Sequence, residues 1–442
     1  MATRQPASAR GRGPKSPVVA KADRGREPLN DVAVVGGSLA GCTAAIRFAQ
    51  MGFRVVVLER KTAGQNHYKR LCTHFVQPSA VPVLSKLGLA HLADRPHAVP
   101  TKARFTTPCG VIDLPGGYVP EGPASYALNL ERRMLDPALR AAAREHGVEF
   151  MDGTSVHSVE ACASGWRVDA RTKTRSRRVR ARLVVAADGR RSRLAQATGN
   201  PTTLHANERA AKFGYFSGID APGEDRSLFI LNEREMAFVY PLVGGRTLLS
   251  LYLEKPRARE WRRLGDVADE FLAYFAGLED VPSVAGAVPE TSLLGYSDYP
   301  SLVRKPAWGS IPFVGDAALS LDPMSGVGCG FALVSGDLLA GAFAGRSLSP
   351  HDASAALGEY ARHFEQLLLP HASGICADSL VGKGASARLR LYQAISGDIE
   401  LSRQFLALSG RLLAPADFQR VLILALANNR RGAVAQAATA VG

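Results

Sequence analysis

The segment from Asp31 to Glu59 constrains the fold most, because it places a glycine-rich turn between a buried strand and a helix. Asp31 to Val35 is an apolar run without polar alternation, which is typical of a strand buried on both faces. A glycine turn follows, then Leu39 to Met51 predicts a helix, and Arg54 to Leu58 predicts a second buried strand. This βαβ opening predicts a dinucleotide-binding α/β fold.

The turn itself suits a pyrophosphate. Gly36 allows a tight turn, and Gly41 lets the helix and the strand approach each other. Ser38 stands where the fingerprint has its middle glycine, and its hydroxyl can donate a hydrogen bond. Leu39 and Ala40 begin the helix, whose free N–H groups and positive dipole end attract phosphate.

An acidic residue completes this pattern at the end of the second strand. Glu59 is placed to accept hydrogen bonds from ribose hydroxyls. Arg60, the next residue, is a further candidate contact to the cofactor. Strand, helix, second strand and carboxylate in register together predict dinucleotide binding.

Two later motifs follow predicted strands. The first runs from Ala187 to Arg193 as ADGRRSR, and the second from Gly315 to Gly330 as GDAALSLDPMSGVGCG. With the glycine turn in this order, residues 31–345 resemble the FAD-dependent aromatic hydroxylases related to para-hydroxybenzoate hydroxylase, with kinship to flavin halogenases and geranylgeranyl reductases. The resemblance implies a glutathione reductase-like, three-layer FAD-binding fold with an inserted antiparallel-sheet substrate domain and a helical C-terminal region.

The resemblance also implies roles for residues of the second motif. Asp316, after Gly315, would hydrogen-bond the ribityl chain of FAD. The turn that contains Gly326, Gly328 and Cys329 would offer backbone N–H groups to the pyrimidine end of the flavin, where the reduced ring holds negative charge. The hydroxylases usually carry Asn where Gly330 stands, so one side-chain contact to the flavin is missing.

The resemblance implies that three charged residues lie near the FAD phosphates. Asp188 would lie beside the pyrophosphate. Arg132 resembles the family's arginine that reaches the phosphates, and Arg70 is another candidate for that contact.

The sequence predicts seven segments. They are a disordered basic tail (1–29), FAD-binding parts (30–105, 128–200 and 301–345), substrate-domain parts (106–127 and 201–300) and a helical C-terminal region (346–442).

Several reactions are compatible with this fold. We expect monooxygenation through a flavin C4a-hydroperoxide, which would hydroxylate or epoxidise a bulky apolar or aromatic molecule of specialised metabolism. A halogenase is an alternative in which Lys102 would be catalytic, but the paired tryptophans of halogenases are missing. A reductase or cyclase of the geranylgeranyl reductase type is a third possibility, and a flavin-binding protein without activity is a fourth.

The substrate and the reductant are less defined. Aromatic residues alternate along the predicted second-lobe strands, and the candidate wall of the substrate pocket comprises Phe213, Tyr215, Phe229, Phe238, Tyr240 and Pro323. NADPH or NADH would reduce the FAD, or a separate flavin reductase would supply reduced flavin, and O2 would be the second substrate.

Composition indicates which partners, metals and locations to expect for this chain. The net charge of +14 owes much to residues 1–27, which hold seven basic and two acidic residues, so nucleic acid is not an expected partner. The six scattered cysteines and ten histidines form no metal-ligand pattern, and no metal is expected. Apolar runs are too short to span a bilayer, and a cytoplasmic location is expected.

Overall fold

The structure is a computed structural model that describes residues 29–439, except 65–66, 221–222, 224, 265–266 and 383–384. The basic tail predicted for residues 1–29 therefore lies, but for Leu29, outside the described residues. Leu29 itself begins the first strand.

The strands follow the chain in this order: β1 (Leu29–Val35), β2 (Val55–Glu59), β3 (Phe75–Val76), β4 (Val99–Thr107), β5 (Gly110–Ile112), β6 (Ala127–Asn129), β7 (Glu149–Asp152), β8 (Ser155–Cys162), β9 (Gly165–Arg171), β10 (Ser176–Ala186), β11 (Thr202–His205), β12 (Arg209–Ser217), β13 (Arg226–Leu231), β14 (Met236–Leu242), β15 (Arg246–Glu254), β16 (Val288–Pro289), β17 (Leu294–Tyr296), β18 (Ser301–Arg304), β19 (Ala307–Trp308), β20 (Ile311–Pro312) and β21 (Leu319–Ser320). The α-helices are α1 (Leu39–Gln50), α2 (Val81–Lys86), α3 (Arg132–Glu145), α4 (Arg193–Thr198), α5 (Lys255–Leu264), α6 (Val267–Ala276), α7 (Gly328–Ala342), α8 (Pro350–Leu367), α9 (Leu369–Asp378), α10 (Ala385–Ser396), α11 (Ile399–Ser409) and α12 (Pro415–Thr439).

The first lobe is built on a sheet with the strand order β7-β2-β1-β10-β9-β8. β1 lies parallel between β2 and β10, and its residues 32–35 are buried, as the unbroken apolar run predicts. β8, β9 and the first half of β10 form an antiparallel layer. Helices α1, α3 and α7 pack together against the same apolar core. The predicted three-layer FAD-binding fold is confirmed.

The second lobe is a larger sheet whose main path runs β16-β12-β15-β14-β13-β4-β6-β3. β14 and β15 form a hairpin whose turn contains Gly244 and Gly245, both with positive φ. Such φ values suit glycine, and two adjacent glycines between apolar strands predict a turn from the sequence alone. β4 pairs with β13 in parallel, so the sheet joins two distant parts of the chain.

Helices of the C-terminal region are divided between the two lobes. α8 and α9 pack on the first lobe through residues such as Tyr360 and Phe364. Residues of α10, α11 and α12, including Tyr392, Leu406 and Phe418, instead join the aromatic core of the second lobe. Helices α5 and α6 contribute to a separate apolar core of that lobe.

The sequence-based boundaries differ from the structure in two places. The sequence spacing of Val81, Leu84, Leu87 and Leu89 predicts the apolar side of one helix, but α2 ends at Lys86, because Gly88 turns the chain with a φ of +73°. Leu87 and Leu89 are nevertheless buried beyond the helix. β4 crosses the domain boundary that the sequence suggests between residues 105 and 106.

We expect Gly41→Ala to destabilise the first lobe by about 1–3 kcal/mol, because overpacking costs that much in a tight core. A Cβ at Gly41 would lie 1.8 Å from the carbonyl oxygen of Gly36. Urea unfolding of both variants measures the change, with Gly374→Ala in α9 as control, where an added Cβ meets no described atom within 4 Å. Equal stability of Gly41→Ala and wild type would contradict the close approach of α1 to β1.

Candidate functional site

A cleft of about 340 Å³ opens where β1, β2 and β10 end in the first lobe. Its wall includes many residues predicted to bind the cofactor: Gly36, Ser38, Leu39, Ala40, Glu59, Arg60, Arg132, Asp188, Asp316 and Gly328. Residues as far apart in the sequence as Gly36 and Gly328 thus meet at one site. The location agrees with the rule that ligands of parallel α/β sheets bind at the carboxyl ends of strands.

The glycine turn lies so close to the end of β10 that position 36 has no space for a side chain. Gly36 has a φ of +109°, and a Cβ there would lie 2.3 Å from the carbonyl oxygen of Ala187. The first N–H groups of α1 have no acceptor within the helix. Ser38 precedes this helix without capping it through its side chain. The helix end is therefore available to an anion.

Arg132 brings positive charge to the same helix end. Its Nη2 donates to Ser38 Oγ at 3.0 Å, and its Nε donates to Asp136 Oδ1 at 2.6 Å. Both partners of the ion pair are 3% exposed. Asp136 also accepts from the backbone N–H of Lys69 at 3.0 Å. The carboxylate thus orients the guanidinium and anchors the loop beside the cleft.

Glu59 is held against the glycine turn by two backbone bonds. Its Oε2 accepts from the Gly37 N–H at 2.7 Å, and its Oε1 accepts from the Lys61 N–H at 2.8 Å. Nε2 of His67 lies 3.7 Å from Oε1. The carboxylate is therefore fixed at the cleft, where ribose hydroxyls are expected.

Asp188 has one engaged and one unengaged oxygen. Oδ2 accepts from the backbone N–H groups of Arg193 and Leu194 at 2.7 and 3.2 Å, which caps α4. Oδ1 is buried, and within the described part of the chain it has no hydrogen-bond partner. Burial raises the pKa of Asp188 above its usual value, against the opposing effect of these hydrogen bonds. The unengaged oxygen at the cleft suits a polar ligand group.

Asp316 stands at the opposite side of the cleft, after β20. Its Oδ2 lies 3.2 Å from Nζ of Lys69. Asp316 raises the pKa of Lys69 above its usual value, against the effect of burial. Lys69 is a cleft residue that the sequence did not single out, since nothing local to Lys69 indicates a carboxylate 247 residues later.

Five other residues predicted to bind the cofactor lie outside the described wall of the cleft. Gly41 approaches β1, Gly315 packs on Ala40 and Ala332, and Gly326 turns the chain with a φ of +63°. Cys329 lies in the first turn of α7 and is 4% exposed. Arg70 is exposed, and the cleft wall formed by the described residues does not include it.

Two thiols that the sequence analysis treated as scattered meet beside this cleft. The sulfur atoms of Cys72 and Cys329 are 3.6 Å apart. The backbone N–H of His74 donates to Cys72 Sγ at 3.3 Å. The Cys329 thiol lowers the pKa of Cys72 well below its usual value, against burial and with help from His74. Cys72 is therefore the more acidic of the two thiols.

His74 links these thiols to the second lobe. The Arg132 backbone N–H donates to His74 Nδ1 at 3.0 Å, so the neutral ring carries its proton on Nε2. His74 Nε2 is 2.6 Å from the Tyr215 hydroxyl. The contact ties a strand of the second lobe to the loop that carries Cys72.

The five aromatic residues predicted for the substrate wall occupy one buried core. Phe213, Tyr215, Phe229, Phe238 and Tyr240 are each at most 9% exposed and pack with further rings from β3 and β4. Pro323 is half-buried at the start of the 3₁₀ turn before α7, and its neighbour Met324 packs against that core. The aromatic core thus adjoins the turn expected at the flavin.

Lys102 lies on β4, and the wall of the described cleft does not include it. Its Nζ donates to the Pro115 carbonyl at 2.6 Å and lies 3.5 Å from Asp225 Oδ2. These contacts connect the sheet to a neighbouring loop.

The chain belongs to the family described as FAD binding domain, which it matches over residues 30–260. FAD is therefore the supported cofactor. The predicted kinship with hydroxylases, halogenases and geranylgeranyl reductases is confirmed by the relatives and by solved structures.

Two curated relatives are reductases. The chain is 28% identical to digeranylgeranylglycerophospholipid reductase 1 of Methanothermobacter thermautotrophicus, over 75% of this chain and 81% of the relative. It is 27% identical to the menaquinone reductase of Mycobacterium tuberculosis, over 76% of this chain and 81% of the relative. These relatives indicate an FAD-dependent oxidoreductase.

Solved structures share the fold. A triple mutant of the flavin-dependent brominase Bmp2 aligns with a TM-score of 0.71 at 17% identity, covering 89% of this chain and 98% of that chain. p-Nitrophenol 4-monooxygenase PnpA of Pseudomonas putida DLL-E4 aligns with a TM-score of 0.69 at 19% identity, covering 88% and 99%. At these identities the likeness concerns the fold alone.

The residues of the cleft fit FAD. The glycine turn packs against the backbone at Ala187 because Gly36 lacks a side chain, and α1 begins at the cleft with N–H groups that its N-cap side chain leaves uncapped. Oδ1 of Asp188 and Nδ1 of His67 are buried without a hydrogen-bond partner among the described residues. In the described part of the chain no His, Cys, Asp and Glu side chains cluster as metal ligands, and no helix is long and apolar enough to cross a bilayer.

We expect Glu59→Ala to weaken FAD binding by about 10- to 150-fold, which corresponds to the roughly 1.5–3 kcal/mol of a hydrogen bond to a charged group. Glu59→Gln should lose less, because one acceptor oxygen remains. Titration of apoprotein with FAD, followed by flavin fluorescence, measures both. Glu149→Ala, an exposed carboxylate on the adjacent strand β7, is the control. FAD affinity that stays unchanged in Glu59→Ala would show that the carboxylate faces solvent instead of ribose.

Proposed function

We propose that the chain is an FAD-dependent reductase that saturates a carbon–carbon double bond of a bulky apolar, isoprenoid-type compound. The supporting observation is the thiol pair of Cys72 and Cys329 beside the cleft. The two reductase relatives add weight, since each aligns over three quarters of this chain. The proposal replaces monooxygenation, which the sequence alone favoured, as the first candidate.

The proposal assigns the cofactor contacts to the predicted residues. Glu59 would bind the adenosine ribose, Arg132 and the N-terminus of α1 the pyrophosphate, and Asp316 the ribityl chain. Lys69 would then exchange its contact with Asp316 for the cofactor, or orient that carboxylate. The turn at Gly326 and Gly328 would receive the pyrimidine end. Once reduced by NADPH, NADH or a partner flavin reductase, bound FAD supplies the hydride.

Saturation of a double bond also needs a proton, and Cys72 is placed to supply it. Its lowered pKa makes this thiol a stronger acid than an ordinary cysteine, which favours proton donation. The His74 N–H and the Cys329 thiol both point at its sulfur, so the thiolate left after proton transfer would be stabilised. The thiol is partly exposed, which leaves a route for its proton to be replaced.

The aromatic core would bind and shield the substrate. Its rings come from the second-lobe sheet, and helices α10, α11 and α12 contribute side chains to the same core. Excluding water protects reduced flavin from side reactions and strengthens every electrostatic contact nearby. A bulky substrate would have to displace part of this packing as it enters.

Monooxygenation of an apolar or aromatic molecule remains the second candidate. The dry aromatic core favours it, because oxygen transfer depends on exclusion of water and needs no acid from the protein. The paired thiols beside the turn at Gly326 and Gly328 argue for reduction instead, since thiols are themselves readily oxidised. Halogenation has less support, because Lys102 is held by Pro115 and Asp225.

The reactions are separated by the mass of the product. With geranylgeranyl diphosphate as probe, holoenzyme and dithionite-reduced FAD under nitrogen should give a product heavier by two hydrogen atoms. Under the second candidate, NADPH and labelled O2 would instead give a product that carries labelled oxygen. Labelled oxygen in the product, and no anaerobic saturation of any prenyl or quinone probe, would overturn the reductase assignment.

We expect Cys72→Ser to lower the anaerobic saturation rate by at least about tenfold, a barrier change of roughly 1.4 kcal/mol, because serine is a much weaker acid. FAD occupancy should stay near that of wild type. Cys162→Ser on β8 is the matched control and should retain the rate.

We further expect Lys102→Ala to keep activity within about tenfold of wild type. Chloride-dependent product that disappears in this variant would restore the halogenase alternative. Initial rates with and without chloride provide the measurement.

A further inference from the structure

The sulfur atoms of Cys72 and Cys329 come from loops 257 residues apart, yet they lie within 3.6 Å. A disulfide needs sulfurs at about 2.05 Å, so closing the bond requires a shift of about 1.5 Å. Cys72 lies in the loop before β3, and its neighbours Lys69 to Leu71 are exposed. Rotation of the Cys72 side chain would supply a shift of this size, whereas Cys329 is held in the first turn of α7.

The surroundings favour thiolate chemistry. The Cys329 sulfur is 4.0 Å from Nη1 of Arg132, and the Cys72 sulfur accepts the His74 N–H. The N-terminus of α7 adds a positive dipole end near both. The hydrogen bond between the thiols leaves Cys72 as the more acidic partner and raises the pKa of Cys329. Cys72 therefore provides the attacking sulfur, and Cys329 provides its partner.

The pair also borders the proposed flavin position. Gly328, next to Cys329, lines the cleft, and Arg132 contacts both Cys329 and Ser38 of the glycine turn. Electrons can therefore pass between the thiols and the flavin without a long path.

We propose that Cys72 and Cys329 are a redox-active dithiol that exchanges two electrons with the bound FAD. The proposal rests on the flavin placement given under the proposed function, but not on the substrate. In one direction, the Cys72 thiolate and the Cys329 thiol form one S–S bond and release two electrons and one proton. Both electrons and that proton would pass to oxidised FAD when it is bound at the cleft. In the other direction, the disulfide would take two electrons and one proton from reduced FAD and open to the Cys72 thiolate and the Cys329 thiol.

This exchange would control the proposed reaction. Cys72 carries a proton for the substrate only while the disulfide is open. Air-oxidised enzyme would then need two reduction steps before turnover, one for the disulfide and one for the flavin.

Electron counting tests the proposal without any substrate. Air-oxidised holoenzyme, freed of external thiols, is titrated anaerobically with dithionite until the flavin is bleached. Wild type and Cys162→Ser should consume about two equivalents per FAD, because each two-electron couple takes one. Cys72→Ser and Cys329→Ser should consume about one.

Peptide mapping of wild type supplies an independent readout that needs no variant to fold. Alkylation of the denatured, oxidised protein should leave Cys72 and Cys329 joined in one cross-linked peptide pair, which alkylates after reduction. A wild type that consumes about one equivalent, or a disulfide mapped to other cysteines, would overturn the proposal. If the electron count holds but no prenyl substrate is saturated, only the proposed function fails.

Discussion

The close approach of α1 to β1 and β10 is the contact on which the site depends. It is possible because Gly36 and Gly41 lack side chains where the Ala187 and Gly36 carbonyl groups lie. The approach points the N-terminus of α1 toward the cleft and brings the end of β10, with Asp188, to the opposite wall. One steric condition therefore determines where a phosphate can bind and which carboxylates surround it.

Buried ion pairs then join segments that the glycine turn alone could not hold. Arg132 and Asp136 connect α3 to the turn and to the loop at Lys69. Arg209 of β12 is fully buried against Asp322, which also caps the 3₁₀ turn preceding α7. A charge buried without its partner costs several kcal/mol, so the first pair favours the native packing inside the first lobe. The second pair favours the native assembly of the two lobes.

Local sequence patterns predicted the first lobe well, because its signals are short-range. The apolar run of β1, the glycine turn, and Glu59 after β2 lie within 30 residues, and each has a direct physical meaning. The same holds for the Gly244–Gly245 hairpin. Boundaries were less accurate where a single glycine ends an element, as Gly88 does after α2.

Long-range contacts were not predictable from the same patterns. The parallel pairing of β4 with β13, and the packing of α10 to α12 on the aromatic core, depend on which apolar faces meet after folding. The contact between Cys72 and Cys329 is the clearest example of an unpredicted contact, since neither cysteine belongs to a recognisable redox motif in the sequence. Glycine and carboxylate patterns thus predicted residues that line one cleft, while the thiol pair beside it emerged only in three dimensions.

The C-terminal helices are divided between the apolar cores of the two lobes. α8 and α9 belong to the core of the first lobe, whereas α10 to α12 belong to the core that contains the proposed substrate wall. Ser379, just after α9, donates to Asp322, so the junction between the two helix groups is bonded to the chain beside the flavin turn. The oxygens of Asp322 also accept from Arg209 and Tyr296 of the second lobe. One buried carboxylate therefore bonds the helix junction and the second-lobe sheet to the 3₁₀ turn that precedes α7.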